Sequence, residues 1–170
     1  MASSSKSEQS QKTATQKSSS NSTSQQKNQA TNTNTFKGQL MTLELPADWQ
    51  AFTKDSSGVK TTYIQPKSAS NSETGMIIQG EDNQTENAKN NNPEKYYITA
   101  VGGPPAKIIT SSTASINNYP AFTEQDSLFE GEPLMWNVVI GNGSSKIWFT
   151  YSANDPNAAT YTKILQTIHI

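Results

Sequence analysis

The sequence contains no cysteine and no arginine, and each absence excludes a class of chemistry. Without cysteine there are no disulfides, thiol nucleophiles or thiolate metal sites. Without arginine, and with thirteen lysines against fourteen acidic residues, the chain lacks the clustered basic side chains that bind phosphates and base edges. We therefore expect no nucleic-acid partner.

Motifs of familiar enzymes and cofactor sites are also missing. His169 is the sole histidine, and no Gly-x-Ser-x-Gly turn presents a nucleophile to it, so we interpret it as a polar residue of a terminal segment. The glycine-containing stretches 101–105 and 141–145 lack the Lys-Ser/Thr of a phosphate loop. We expect no catalytic residue of these types and no cofactor.

The acidic residues in the segment 80–92 do not match a metal-binding pattern. Glu81, Asp82 and Glu86 lack the alternating ligands, central glycine and terminal glutamate of a calcium loop. The segment is also rich in asparagine, which disfavours a long helix. We predict a solvated loop and no metal site.

Residues 3–35 contain no aliphatic residue larger than alanine and no aromatic residue. Such a segment offers no apolar surface to offset the entropy lost on ordering. We predict a disordered tether at 1–35 and a single domain at 36–170, which has nine lysines against thirteen acids.

The polar leader has two interpretations. It is typical of a spacer behind an export signal or a lipid-modified cysteine, so we expect an upstream anchor and a membrane-tethered domain outside the cell. The alternative is a solubilising terminus of a cytosolic protein. The sequence itself has no run of 18 or more apolar residues, which predicts no membrane-spanning helix.

The first half of the domain contains three predicted strands. Alternating or short apolar runs bounded by glycine or proline lie at Gly38–Leu45, Gly58–Pro66 and Gly75–Gly80. Between the first two, residues 46–52 predict a turn that places Trp49 on the core.

The second half predicts an antiparallel series. Strands are expected at Lys107–Ile116, Ala121–Phe129, Pro133–Ile140 and Lys146–Ala153. Asn117-Asn118 joins the first pair, since asparagine tolerates positive φ, and Gly-Asn-Gly joins the last pair.

Two helices complete the predicted order. Asn92 followed by proline predicts a short helix at Pro93–Val101, which ends before Gly-Gly-Pro-Pro. Asn154 or Asp155 is expected to cap a closing helix. Its apolar stripe, which should pack on the sheet, consists of Ala158, Tyr161, Leu165 and Ile168.

Three short stretches carry a resemblance to a known family. "LPADW" after the first strand, "INNYPAF" at the middle hairpin and the closing "YTKILQTIHI" resemble the PsbP-like, or Mog-type, domain. The resemblance covers residues 36–170 and implies an α+β fold, an α/β/α sandwich with a central, mainly antiparallel sheet. Asn118 stands where family members usually carry a turn glycine.

The resemblance also implies a location. Members with polar leaders are similar to envelope lipoproteins of Gram-positive bacteria, which implies an extracellular, membrane-anchored domain. The shared stretches are structural signals, and the family's functions differ widely, so they do not indicate a role.

Paired carboxylates are the candidates for chemistry. Glycoside hydrolysis needs two acids at a set separation, and Glu124 with Asp126, or Glu130 with Glu132, would supply them. In a strand Glu124 and Asp126 share a face with Phe122. A solvated sheet face or rim explains the same acids without catalysis.

Our main hypothesis is a non-catalytic binding or accessory module of the cell envelope, with an unidentified envelope protein or wall glycan as partner. The alternatives are an envelope hydrolase acting on glycan through the paired carboxylates, and a purely structural part in wall assembly. Any exposed cluster of aromatic residues would mark the binding surface. The aromatic residues considered are Tyr96, Tyr97, Tyr119, Trp136 and Trp148.

Overall fold

The computed structural model describes residues 33–70, 72–90, 92–127 and 129–170. The predicted disordered tether, 1–35, lies outside these ranges except for Thr33–Thr35. Those three residues belong to a strand, so the fold begins slightly earlier than the predicted boundary at residue 36.

The described residues form nine strands and three α-helices. The strands are β1 (Thr33–Lys37), β2 (Thr42–Pro46), β3 (Trp49–Ser56), β4 (Val59–Pro66), β5 (Met76–Asp82), β6 (Lys107–Ile116), β7 (Tyr119–Ser127), β8 (Met135–Asn142) and β9 (Ser145–Ser152). The helices are α1 (Glu86–Lys89), α2 (Pro93–Ala100) and α3 (Ala158–Leu165).

Seven strands form one antiparallel sheet in the order β3-β4-β5-β9-β8-β7-β6, and β1 pairs with β2 in a separate small sheet. Tight turns connect the hairpins. Asn117 and Asn118 both have positive φ, at 46° and 69°, which confirms the predicted turn between β6 and β7. Gly143, with φ 54°, makes the turn between β8 and β9.

The main core lies on one face of the large sheet, between the sheet, α3 and β2. Alternation along β8 and β9 places Val138, Ile140 and Phe149 on this face, as predicted. The Trp49 ring meets the Tyr161 ring of α3 edge-on, with centroids 5.4 Å apart. The core therefore depends on the predicted apolar stripe of α3.

A smaller cluster, here called the α2 cluster, lies on the opposite face. It consists of Ala88, Tyr96, Tyr97, Phe122 and Val139. The Asn92 side chain accepts a hydrogen bond from the Lys95 amide, 3.0 Å away, so the predicted cap of α2 is confirmed.

The predicted cap of α3 is wrong in detail, since Asn157 occupies the N-cap position and its side chain makes no capping hydrogen bond. Asp155 instead supports the helix start from outside. Its Oδ1 accepts from the Asn157 amide at 2.8 Å, and its Oδ2 accepts from the Tyr161 hydroxyl at 3.0 Å.

The expected fold class, an α+β fold built as an α/β/α sandwich, is wrong. Strands hold 51% of the structure and helices 17%, so the fold is β-rich and made of antiparallel sheets. Two strands account for much of the difference. β3 occupies the predicted turn region and ends in four exposed residues, while β1 is a polar strand that lies largely in the predicted tether.

Candidate functional site

Glu124 and Asp126 lie on β7 beneath α2, and they share a face with Phe122 as the alternation predicts. Only 4% of Glu124 and 0% of Asp126 is exposed. The interpretation of this pair as part of a solvated face or rim is therefore wrong. The structure brings the two acids together inside the protein.

A chain of buried hydrogen bonds surrounds Asp126. The Tyr97 hydroxyl donates to Asp126 Oδ2, and Asn137 Nδ2 donates to Asp126 Oδ1 at 2.9 Å. Trp148 Nε1 then donates to Asn137 Oδ1 at 3.0 Å. These four residues together with Glu124 are here called the carboxylate network.

Glu124 has a buried carboxyl oxygen, Oε1, that makes no hydrogen bond. Burial raises the pKa of Glu124 to about 7, and a hydrogen bond with Asp126, the charge of Asp126 and the charge of Glu94 act in the same direction. Burial likewise raises the pKa of Tyr97, so its hydroxyl remains a proton donor at neutral pH. The network fits a protonated Glu124 beside Asp126, whose two oxygens both accept hydrogen bonds.

The other carboxylate pair lies elsewhere. Glu130 and Glu132 are exposed in the connection between β7 and β8, where they line a cavity of about 430 Å³ together with Lys107 and Leu134. The structure therefore does not bring the two predicted pairs into one site.

The remaining acids and the histidine have structural contacts. Glu81 accepts hydrogen bonds from the Leu40 amide at 2.8 Å and the Gln39 amide at 3.1 Å. Asp82 accepts from the hydroxyl and amide of Thr85. His169 is exposed, and its backbone forms a bridge with Thr42, in keeping with its interpretation as a polar residue of a terminal segment.

None of the five aromatic residues considered as contacts is exposed. Tyr96 and Tyr97 are buried, whereas Tyr119, Trp136 and Trp148 are half-buried. Trp136 lines a largely apolar cavity of about 310 Å³ between the sheet and α3. An exposed aromatic cluster at these positions is therefore not the binding surface.

Among the described residues five large apolar side chains are exposed, and three of them lie around the start of β6, while Val59 and Ile98 lie elsewhere. Ile108 and Ile109 are each 49% exposed, and Phe129 is 67% exposed. Phe129 lines a small cavity with residues 101–105, which follow α2. The sequence signal available for this surface was the neighbouring isoleucines at the start of a serine- and threonine-rich strand.

β6 is also the last strand of the large sheet. It pairs with β7 on one side, and among the described strands none pairs with its other side. Every residue from Lys107 to Ser115 is exposed, and no charged residue lies between Ile108 and Ile116. We call this feature the β6 edge.

The opposite edge of the same sheet has a different character. The outer strand β3 carries Lys54 and Asp55 at exposed positions, and Lys54 forms an ion pair with Glu73. Charged side chains on an edge strand discourage pairing with another chain, because a new strand would have to bury them. The β6 edge lacks this protection apart from Lys107 and a bulge between Ile108 and Thr110.

Comparison with known proteins identifies no family for this chain. No protein-family model and no curated protein matches it. Among solved structures it is similar to protein PA94 of Pseudomonas aeruginosa, a candidate regulator of unknown function, with 14% identity and a TM-score of 0.39. The match covers 79% of this chain and 94% of that one, and at this level it carries no functional argument. In the described parts of the chain, no helix is long and apolar enough to span a membrane.

Proposed function

We propose that this chain is a non-catalytic binding or accessory domain of a bacterial envelope lipoprotein, and that it binds a protein partner through the β6 edge. The location rests on the polar leader and on the resemblance to PsbP-like domains. The binding mode rests on one observation, the exposed and nearly uncharged β6 edge.

The β6 edge suits a partner that adds an extended strand. An edge strand presents unpaired backbone donors and acceptors, and strand addition satisfies them through main-chain hydrogen bonds. Ile108, Ile109 and Phe129 would supply apolar contacts beside that strand. We therefore expect a partner with an extended segment carrying apolar side chains near one end.

The alternative function, hydrolysis of envelope glycan, gains no support from the carboxylate positions. A glycosidase places its two carboxyl groups on either side of the scissile bond, so both must reach the sugar. Glu124 and Asp126 are covered by α2, and both oxygens of Asp126 already accept hydrogen bonds.

The test is a pull-down from envelope extracts with the full chain as bait, followed by mass spectrometry and a parallel blot for wall glycan. The edge variant Thr110→Lys/Thr113→Lys adds two charges to β6, at positions that are exposed. The control variant Ser56→Lys/Val59→Lys adds the same charge at exposed positions of the β3–β4 hairpin.

We expect a saturable protein partner that the wild type and the control bind, and that the edge variant binds at least about tenfold more weakly. Circular dichroism of each variant checks that the fold is retained. Equal binding by the edge variant would overturn the β6 edge as the contact. Recovery of wall glycan without any protein would overturn the protein-binding function and favour the glycan alternative.

A further inference from the structure

The Glu124 carboxyl group occupies an unusual position under α2. Within the described residues, its Oε1 is the one buried side-chain nitrogen or oxygen atom that has no hydrogen-bond partner. A buried ionised carboxylate without donors is strongly disfavoured, whereas a neutral carboxylic acid tolerates the same site far better. The position therefore selects the protonated form.

Asp126 is the neighbouring group that can accept a hydrogen bond from the protonated Glu124 carboxyl group. Its two oxygens already accept from Tyr97 and Asn137, which stabilises its negative charge. Glu124 and Asp126 are two positions apart on β7, so their carboxyl groups lie on the same face of the strand, and the charge of Asp126 acts on Glu124. One proton between two adjacent carboxyl groups removes the repulsion that two ionised groups would create.

The surrounding elements offer no positive charge to replace that proton. From α2, the facing titratable groups are Glu94 and Tyr97, and Glu94 adds negative charge. The residues opposite Glu124 on the neighbouring strands are uncharged, Ser111 on β6 and Asn137 on β8. The two ion pairs of the described residues, Lys54 with Glu73 and Lys89 with Glu86, involve neither acid.

The helix that covers the pair is short and has its own small cluster. α2 has eight residues, and its Tyr96 and Tyr97 side chains pack with the other members of the α2 cluster on the sheet face opposite the main core. It is followed by Gly102 and Gly103, both with positive φ. The main core contains no residue of α2, so movement of α2 away from β7 and β8 would leave the main-core contacts unchanged.

We propose that α2 and the Glu124–Asp126 pair form a proton-dependent latch. With one proton shared between the carboxyl groups, α2 lies closed on the sheet. Loss of that proton leaves two adjacent buried negative charges. Their repulsion and the cost of burying them decrease when α2 moves outward and water reaches the network. The pKa of Glu124 near 7 places this change close to neutral pH.

The test is hydrogen–deuterium exchange of the full chain between pH 5.5 and 8.5, with rates corrected for the intrinsic effect of pH. We expect the protection of residues 93–100 to fall by at least about tenfold over this range, as each pH unit above the pKa changes the population tenfold. Protection in β8, which pairs with β7 on one side and β9 on the other, should change much less. Glu124→Gln keeps a neutral donor at the site and should abolish the loss of protection in α2.

A second measurement does not depend on a variant that folds. In wild-type protein labelled with ¹³C at glutamate Cδ, the Glu124 signal should titrate well above the ordinary range of a glutamate. Titration of that signal near 4.5 would overturn the latch. So would protection of α2 that does not change with pH, or an equal loss of protection in Glu124→Gln.

Discussion

Lys146 shows how far a single residue can depart from its usual environment. It is 0% exposed, although lysine is rarely buried without a partner. Its Nζ donates to the carbonyl oxygens of Ala88 at 2.8 Å and Gly143 at 2.7 Å. Burial lowers the pKa of Lys146, and the charge of Asp82 partly opposes that shift. The amine thus ties α1 to the β8–β9 hairpin.

Replacing Lys146 by methionine should destabilise the protein. Lys146→Met keeps most of the volume but leaves the Ala88 and Gly143 carbonyl oxygens without this donor, and unsatisfied buried groups cost about 1–3 kcal/mol. Urea denaturation should show a lower free energy of unfolding by that amount. Lys163→Met, at an exposed position of α3, should change it by less than about 0.5 kcal/mol. Equal effects of the two substitutions would refute this role for Lys146.

Also at the scale of residues, the sequence predicted which strand face Glu124 and Asp126 share but not that this face is buried. The period of two along β7 predicts that Glu124 and Asp126 share a face, and they do. Their burial was not predictable, because a charged pair on a strand ordinarily faces solvent. The cover comes from Tyr97, whose hydroxyl reaches Asp126 across 29 positions of sequence.

At the scale of elements, α2 offers a direct test of helix capping. Asn92→Ala removes the acceptor of the Lys95 amide and should lower the free energy of unfolding by about 1 kcal/mol. The same substitution should lower the protection of α2 amides against exchange, since this short helix is only marginally stable without its cap.

A matched control for that experiment is Asn83→Ala, which lies in the exposed turn between β5 and α1. It should leave both the free energy of unfolding and the α2 amides nearly unchanged. If Asn92→Ala proves as neutral as this control, then packing of Tyr96 and Tyr97 alone fixes the start of α2.

Most elements could be predicted because local chemistry specifies them. The Asn117-Asn118 turn, the glycine-containing turn before β9 and the Asn92-Pro93 helix start are each set by residues within a few positions. β3 could not be predicted in the same way. Its second half, from Thr53 to Ser56, is exposed and polar, and it is a strand because β4 supplies its hydrogen-bond partners. Pairing of this kind is tertiary and leaves no hydrophobic period.

At the scale of the whole molecule, the carboxylate network and the β6 edge adjoin each other. Ile108 of β6 is the register partner of Asp126, and the segment after α2 lines a cavity with Phe129. A change at the network therefore lies next to the proposed contact surface. The buried acid pair lies on β7, which pairs directly with the edge strand β6, so no other strand separates the pair from the edge.

The pH dependence of global stability tests the buried acid in the intact fold. The pKa of Glu124 is raised from 4.5 to about 7 on folding, so the folded state binds more protons than the unfolded state between these values. The contribution of Glu124 to the free energy of unfolding is fully present below pH 4.5 and is lost as the pH rises through 7. The expected loss between pH 5 and 8 is about 2–3 kcal/mol, at 1.36 kcal/mol for each pKa unit.

The window from pH 5 to 8 separates Glu124 from Asp82 and from the tyrosines with raised pKa values. Hydrogen bonds from Thr85 and Gln84 lower the pKa of Asp82, so its contribution is lost only as the pH falls below its ordinary value of 3.8. The pKa values of Tyr97 and Tyr161 are raised above 10, so both side chains stay neutral throughout the window. Urea denaturation across this range should therefore give a falling curve for the wild type and a nearly flat one for Glu124→Gln. A flat wild-type curve, or an equal slope in the variant, would mean that Glu124 is ionised in both the folded and the unfolded state across this range. In that case the two states bind the same number of protons at Glu124, and this group contributes nothing to the slope.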